Sequence, residues 1–134
     1  MITIRNPSGR PAPEGYHHGV EVSGAVRTLY IAGQIGVEPG GFTPPGIEAQ
    51  ARLVYSNMKA VLAEAGMDFS NLVKTTVFLV NKGDREAFAA VRAEAMGGHK
   101  NASTLVYISG LARPDLLVEV EAIAVASSDP ATGR

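Results

Sequence analysis

Apolar side chains recur at three- and four-residue steps through Ile47, Ala51, Val54, Met58, Leu62 and Ala65. That spacing makes one stripe along an amphipathic helix over residues 47–65, and Gly66 supplies its stop. Residues 73–80 change period: they alternate, are rich in Val, Thr and Phe, and read as a strand. Asp84 is placed to cap a second, alanine-rich helix that reaches Met96, just before Gly97 and Gly98. Residues 104–109 and 117–126 supply two more strands. On the N-terminal side, a short apolar start at residues 2–4 precedes a loop over 6–15 rich in proline and glycine, then strands at 19–23 and 28–34 joined by a turn around Gly24. The order β-β-β-α-β-α-β-β predicts an α+β domain over residues 1–134, with a mixed six-stranded sheet and both helices on one face. The small polar tail, 127–134, is expected to fray.

Two helices on one face leave the other face uncovered. In the strand at 73–80, Val73, Thr75, Val77 and Leu79 point one way while Thr76, Phe78 and Val80 point the other, and both sets are apolar in character. An uncovered apolar face of that size marks an interface. The pattern therefore predicts a homo-oligomer that buries the helix-free face, with ligand clefts where chains meet.

The strand at 117–126 adds a chemical question. Glu119 and Glu121 share a face with Leu117, Ile123 and Val125, while Val118, Val120, Ala122 and Ala124 fill the other. An ionised carboxylate withdrawn from water costs several kcal/mol, to order of magnitude, unless it is paired or hydrogen-bonded. Glu121 reads as a residue at a solvated sheet margin. Glu119 is the candidate for a polar pocket.

Composition narrows the field. The 134 residues are 46% hydrophobic and 19% charged, enough for a real core. Twelve Lys plus Arg against 13 Asp plus Glu leave a net charge of −1 with no basic run, so no nucleic-acid surface is expected. The absence of cysteine excludes disulfides and thiolate chemistry. The N-terminus lacks a signal-peptide pattern and no segment approaches membrane-spanning length, so a cytoplasmic protein without membrane contact is expected.

The adjacent His17 and His18 diverge and have no third ligand at metal spacing, and His99 is isolated, so all three read as surface residues and no metal or cofactor is expected. Gly33 interrupts a strand, which means a bulge or something close to the backbone. No phosphate-cradling glycine motif surrounds it. Ser103 and Thr104 precede a strand but lack the base and orienting group of a serine nucleophile. Arg92 lies one turn beyond Phe88 on the second helix, where a solvated face is the plain alternative to a site.

Four segments taken together resemble the Rid family, also called YjgF or RidA: Ala32-Gly33-Gln34-Ile35; Asn57-Met58-Lys59-Ala60-Val61-Leu62 with Ala65-Gly66; Val73-Lys74-Thr75-Thr76-Val77-Phe78-Leu79; and Val118-Glu119-Val120-Glu121-Ala122-Ile123-Ala124. Their order and spacing, more than any one of them, carry the resemblance, which runs from about Tyr16 to Val125. It implies the chorismate mutase-like fold and a homotrimer with three clefts between subunits. In deaminase members an arginine clamps the substrate carboxylate, and a glutamate on the last strand positions the water that hydrolyses an imine or enamine to a keto acid and ammonia. By this resemblance Glu119 is the catalytic glutamate, and Tyr16 and Gly33 fall at pocket positions.

The resemblance also shows a departure. Where those members read Pro-Ala-Arg-Ser or Pro-Ala-Arg-Thr, this chain reads Asn101-Ala102-Ser103-Thr104, and an asparagine and a tyrosine of the second helix align with Ala89 and Arg92. Serine cannot replace a bidentate guanidinium, whose loss from a desolvated pair costs about 2–5 kcal/mol. Ordinary 2-imino acids are therefore expected to be poor substrates. The expectation is a small metabolite bound in an intersubunit cleft by Tyr16, Gly33, Ser103, Thr104 and Arg92, with hydrolysis through Glu119. A ligand sensor or scaffold without catalysis is the first alternative, and a ribonuclease, disfavoured by the charge balance, is the second.

Overall fold

The computed structural model describes residues 1–128. Its elements follow the predicted order: β1 (Ile2–Ile4), β2 (Val20–Val22), β3 (Val26–Ile35), α1 (Ile47–Glu64), β4 (Leu72–Leu79), α2 (Arg85–Met96), β5 (Ala102–Tyr107) and β6 (Val118–Ser127). The six strands form two sheets instead of the one six-stranded sheet expected. β1 and β2 make a separate antiparallel ribbon, and the main sheet has the order β3-β6-β4-β5, with only β4 and β5 parallel. The ribbon stands apart because its strands are three residues long and β1 is exposed throughout. Its one apolar face, Ile2 and Ile4 opposite Val22 and Val20, is too small to join the main core, and Ile2 and Ile4 stay 40% and 44% exposed.

Both helices cover one face of the main sheet. Ala51, Val54, Met58 and Leu62 of α1 and Phe88 of α2 are fully buried against Val77, Leu79, Val118, Val120 and Ala124. The predicted stripe is the packed one. α1 ends as its sequence requires: Gly66 takes φ 68°, the amide of Met67 donates to Leu62 O and that of Gly66 to Ala63 O. This is a Schellman stop. Asp84 differs from expectation, since its side chain caps nothing. It lies in a 3₁₀ turn at Lys82–Asp84 with φ −87° and ψ −6°, whereas a capping residue takes extended angles.

Two polar side chains of α1 tie loops to the core. Gln50, 1% exposed, donates from Nε2 to Pro44 O and Asp115 O at 3.0 and 2.9 Å, and its Oε1 accepts the amide of Leu117 at 2.8 Å. Asn57 Nδ2 donates to Ile35 O and Val37 O. The end of β3 and the start of β6 are thus fixed to one helix. At the other end of β6, Ser127 pairs with Val26 and the amide of Ser128 donates to Ala25 O, so the chain expected to fray from 127 is still bonded there. Residues 129–134 of that expected tail lie outside the described residues.

The helix-free face mixes apolar and polar groups. Tyr30, 76% exposed, stands beside Ile123, and Phe78 beside Val106, while Lys74, Thr76 and Glu121 lie among them.

Candidate functional site

Glu119 stands on the helix-free face. It pairs with Phe78 of β4 and Ile35 of β3, while its neighbours Val118 and Val120 go fully into the core. β3 breaks register between Ile31 and Gln34, and Gly33 falls inside that bulge. A Cβ at position 33 would overlap the Glu119 carboxylate. Bulge and close approach, the two explanations of this glycine, therefore hold together. Its φ is not positive, so the requirement is for space. Among the described residues no hydrogen bond or ion pair engages the Glu119 carboxylate, which lies half-buried over the Gly33 backbone.

A second group of candidates lies across the sheet. Ser103 pairs with Thr75, which pairs with the buried Ala122, so Ser103 faces the helix layer. The Thr75 hydroxyl donates to Asn101 Oδ1 at 2.9 Å and lies 3.1 Å from Ser103 Oγ. Arg92 reaches the same place from α2: its guanidinium carbon is 5.6 Å from the centre of the Phe88 ring, and a Cβ on Gly15 would come within 3.5 Å of it. Arg92, Ala89 and Ser103 wall two adjoining cavities. The larger, about 350 Å³, also takes in Tyr16, Thr104, Arg85 and Tyr107. The smaller, about 110 Å³, extends to Thr75, His99, Lys100 and Asn101.

The loop before β2 holds Tyr16 at this cavity. His17 bridges to Ala102, and its amide donates to Asn101 O at 2.9 Å. His18 presents its ring edge to Tyr16 at 5.6 Å, and its amide donates to Asn6 Oδ1. His17 titrates below its ordinary value, first through burial and then through the positive charges of Lys100 and His99. His99, expected at the surface, is half-buried, and its Nε2 lies 2.9 Å from Leu72 O. Thr104 turns its hydroxyl to the other face, where the Lys74 ammonium donates to it at 2.9 Å.

The single chain therefore separates what the sequence reading grouped. Glu119 and Gly33 lie on the helix-free face; Tyr16, Arg92 and Ser103 lie on the helix side. Thr75, Asn101 and Lys100 were missed, and only Asn101 gave a signal, as a polar residue next to a strand whose side chain is 4% exposed. The same kind of signal marks Gln50, a glutamine between Ile47 and Val54 on the buried stripe.

The four-stranded sheet backed by two helices, with a glycine bulge under a strand glutamate, defines a class that comparison identifies. The endoribonuclease L-PSP family model matches residues 8–126. This chain belongs to that family, the YjgF/Rid proteins. It is 36% identical over 118 residues to a mouse 2-iminobutanoate/2-iminopropanoate deaminase, covering 86% of this chain and 84% of the mouse protein. It is 40% identical over 98 residues to the RutC family protein PH0854 of Pyrococcus horikoshii, covering 72% and 77% of the two chains. Among solved structures, a Rid family protein of unknown function, YyfB from Yersinia pestis, superposes with a TM-score of 0.82 at 32% identity, over 93% of this chain and 98% of that one.

Proposed function

We propose that this protein is a Rid-family homotrimer that binds a small anionic metabolite between subunits and hydrolyses an imine or enamine there. The observation that carries this reading is the placement of two incomplete half-sites on opposite faces of one sheet. Glu119 over Gly33 offers a base without a cation beside it, and the cavity of Tyr16, Ser103 and Arg92 offers a cation and a hydroxyl. A cleft that joins the helix side of one subunit to the helix-free face of the next holds both.

In that cleft Arg92 takes the anionic group that the missing arginine at position 103 would have clamped, and it approaches from α2 instead of from β5. Glu119 accepts a proton from water as the water oxygen bonds to the imine carbon and the C=N electron pair moves to nitrogen. Glu119 returns that proton to nitrogen to give the carbinolamine, then takes the hydroxyl proton and passes it to the same nitrogen as the C=O bond forms and the C–N bond breaks, releasing ammonia and leaving the carbonyl product. The mouse relative bears the name of a deaminase of this type, which supports the reaction class. A guanidinium in a new position shifts where the acid group sits relative to the nitrogen, so 2-iminobutyrate should fit poorly.

The test is ammonia release from 2-iminobutyrate generated in place, for wild type, Ser103→Arg, Arg92→Ala and Glu119→Gln. Slow turnover by wild type and a gain in Ser103→Arg are expected, with Glu119→Gln inactive in either background. Fast turnover by wild type that survives Arg92→Ala would overturn the role of Arg92. A sensor that binds without catalysis is favoured by one observation, the absence of any described residue that orients the Glu119 carboxylate. It predicts that Glu119→Gln leaves ligand affinity unchanged and that no variant releases ammonia.

A further inference from the structure

The smaller cavity beside Arg92 differs in character from the larger. Glu14 contributes to the larger one, but among the described residues no carboxylate lines the smaller. Its lining residues include two cations, Arg92 and Lys100, and the polar Asn101 and Ser103, among the apolar Ala89, Ala93 and Met96; the His99 ring also lines it, with its Nε2 already 2.9 Å from Leu72 O. Among the described residues neither Arg92 nor Lys100 has an ion-pair partner. His17 registers the same excess, since Lys100 and His99 both oppose its protonation. Positive groups gathered around one cavity without a counter-charge repel one another, and an anion inside relieves that repulsion. The volume, about 110 Å³, equals three to four waters at about 30 Å³ each. That suits a carboxylate on a short stem.

The two cavities share Ala89, Arg92 and Ser103 as walls, so a single ligand can extend from one into the other. Arg85 and Arg92, two turns apart on α2, both line the larger cavity, which leaves Lys100 for whatever enters the smaller. We propose that the smaller cavity is a second anion subsite and that the ligand of the cleft is a dicarboxylate, the imine or enamine of an acidic amino acid. This inference rests on the reading of the cleft as an imine-hydrolysing site and specifies its substrate class. Such a ligand carries its second acid group into the donor-lined space while its reactive carbon stays in the larger cavity.

Calorimetric titration of the purified oligomer with stable keto-acid products tests the subsite without requiring turnover. The probes are 2-oxoglutarate, 2-oxopentanoate, which matches it in chain length but lacks the second acid, and 2-oxobutyrate. Binding of 2-oxoglutarate about tenfold or more tighter than 2-oxopentanoate is expected, equivalent to about 1.4 kcal/mol. Lys100 is exposed, so Lys100→Ala should fold normally and is expected to remove most of that preference. Equal affinity for all three probes overturns the subsite and leaves the cleft reading standing. A preference that survives Lys100→Ala also overturns it, and failure of every probe to bind removes both readings.

Discussion

Gly33 lacks a side chain because the Glu119 carboxylate occupies the space where one would be. Gly33→Ala is expected to displace that carboxylate and to cost about 1–3 kcal/mol of stability, as overpacking usually does. Thermal unfolding alongside ammonia release checks both effects, and an unchanged melting temperature with full activity would contradict the contact. Tyr55 makes the opposite case. It packs against Phe69 and Phe88 at ring separations of 6.1 Å, yet among the described residues its buried hydroxyl has no hydrogen-bond partner, and burial pushes its ionisation well above the ordinary range. Tyr55→Phe removes an unsatisfied polar group, so equal or greater stability is expected, by up to about 1 kcal/mol in urea unfolding. His17 gives a pH signature. Its folded form takes up a proton less readily than the unfolded chain, so it contributes nothing against folding above pH 6.5 and opposes folding as pH falls below that value. An NMR titration should place its midpoint below 6.5, and Lys100→Ala should raise it; a midpoint at or above 6.5 would contradict the crowding of positive charge.

The elements were legible where periodicity and stop signals agreed. The stripe of α1, its glycine stop and the alternation of β4 each follow from side-chain spacing alone. The cap of α2 was not, because Asp84 is a good capping residue by type but stands in a turn that is already helical. Gln50 shows how far a single helix position reaches: its three hydrogen bonds join α1 to the loop before it and to the start of β6. Gln50→Leu keeps the apolar fit and leaves Pro44 O, Asp115 O and the amide of Leu117 without that partner. A loss of about 2–4 kcal/mol in urea unfolding is expected from buried groups left unsatisfied. Because Leu117 is two residues before Glu119, the ammonia-release rate should fall as well. A variant as stable as wild type would mean that the loops hold themselves.

At the scale of the whole molecule the proposed cleft needs a partner copy to join its two half-sites. Glu119→Gln and Arg92→Ala homotrimers should each be inactive, while mixed trimers refolded together should recover part of the activity, because some clefts then combine an intact Glu119 face with an intact Arg92 face. No recovery in mixed trimers would place the whole site in one subunit. The sequence by itself determined the order and type of the elements, the face of α1 that enters the core, the family, and Glu119 and Gly33 as residues of interest, since all of these rest on local period or on short motifs. Only the tertiary structure decided that the N-terminal ribbon leaves the main sheet, that Arg92 and Ser103 meet at one cavity, and that a donor-lined space without carboxylates lies beside them. Those outcomes depend on which strands pair and on which side of the sheet a helix lies. Contacts between residues far apart in the chain settle both, and no local pattern records them.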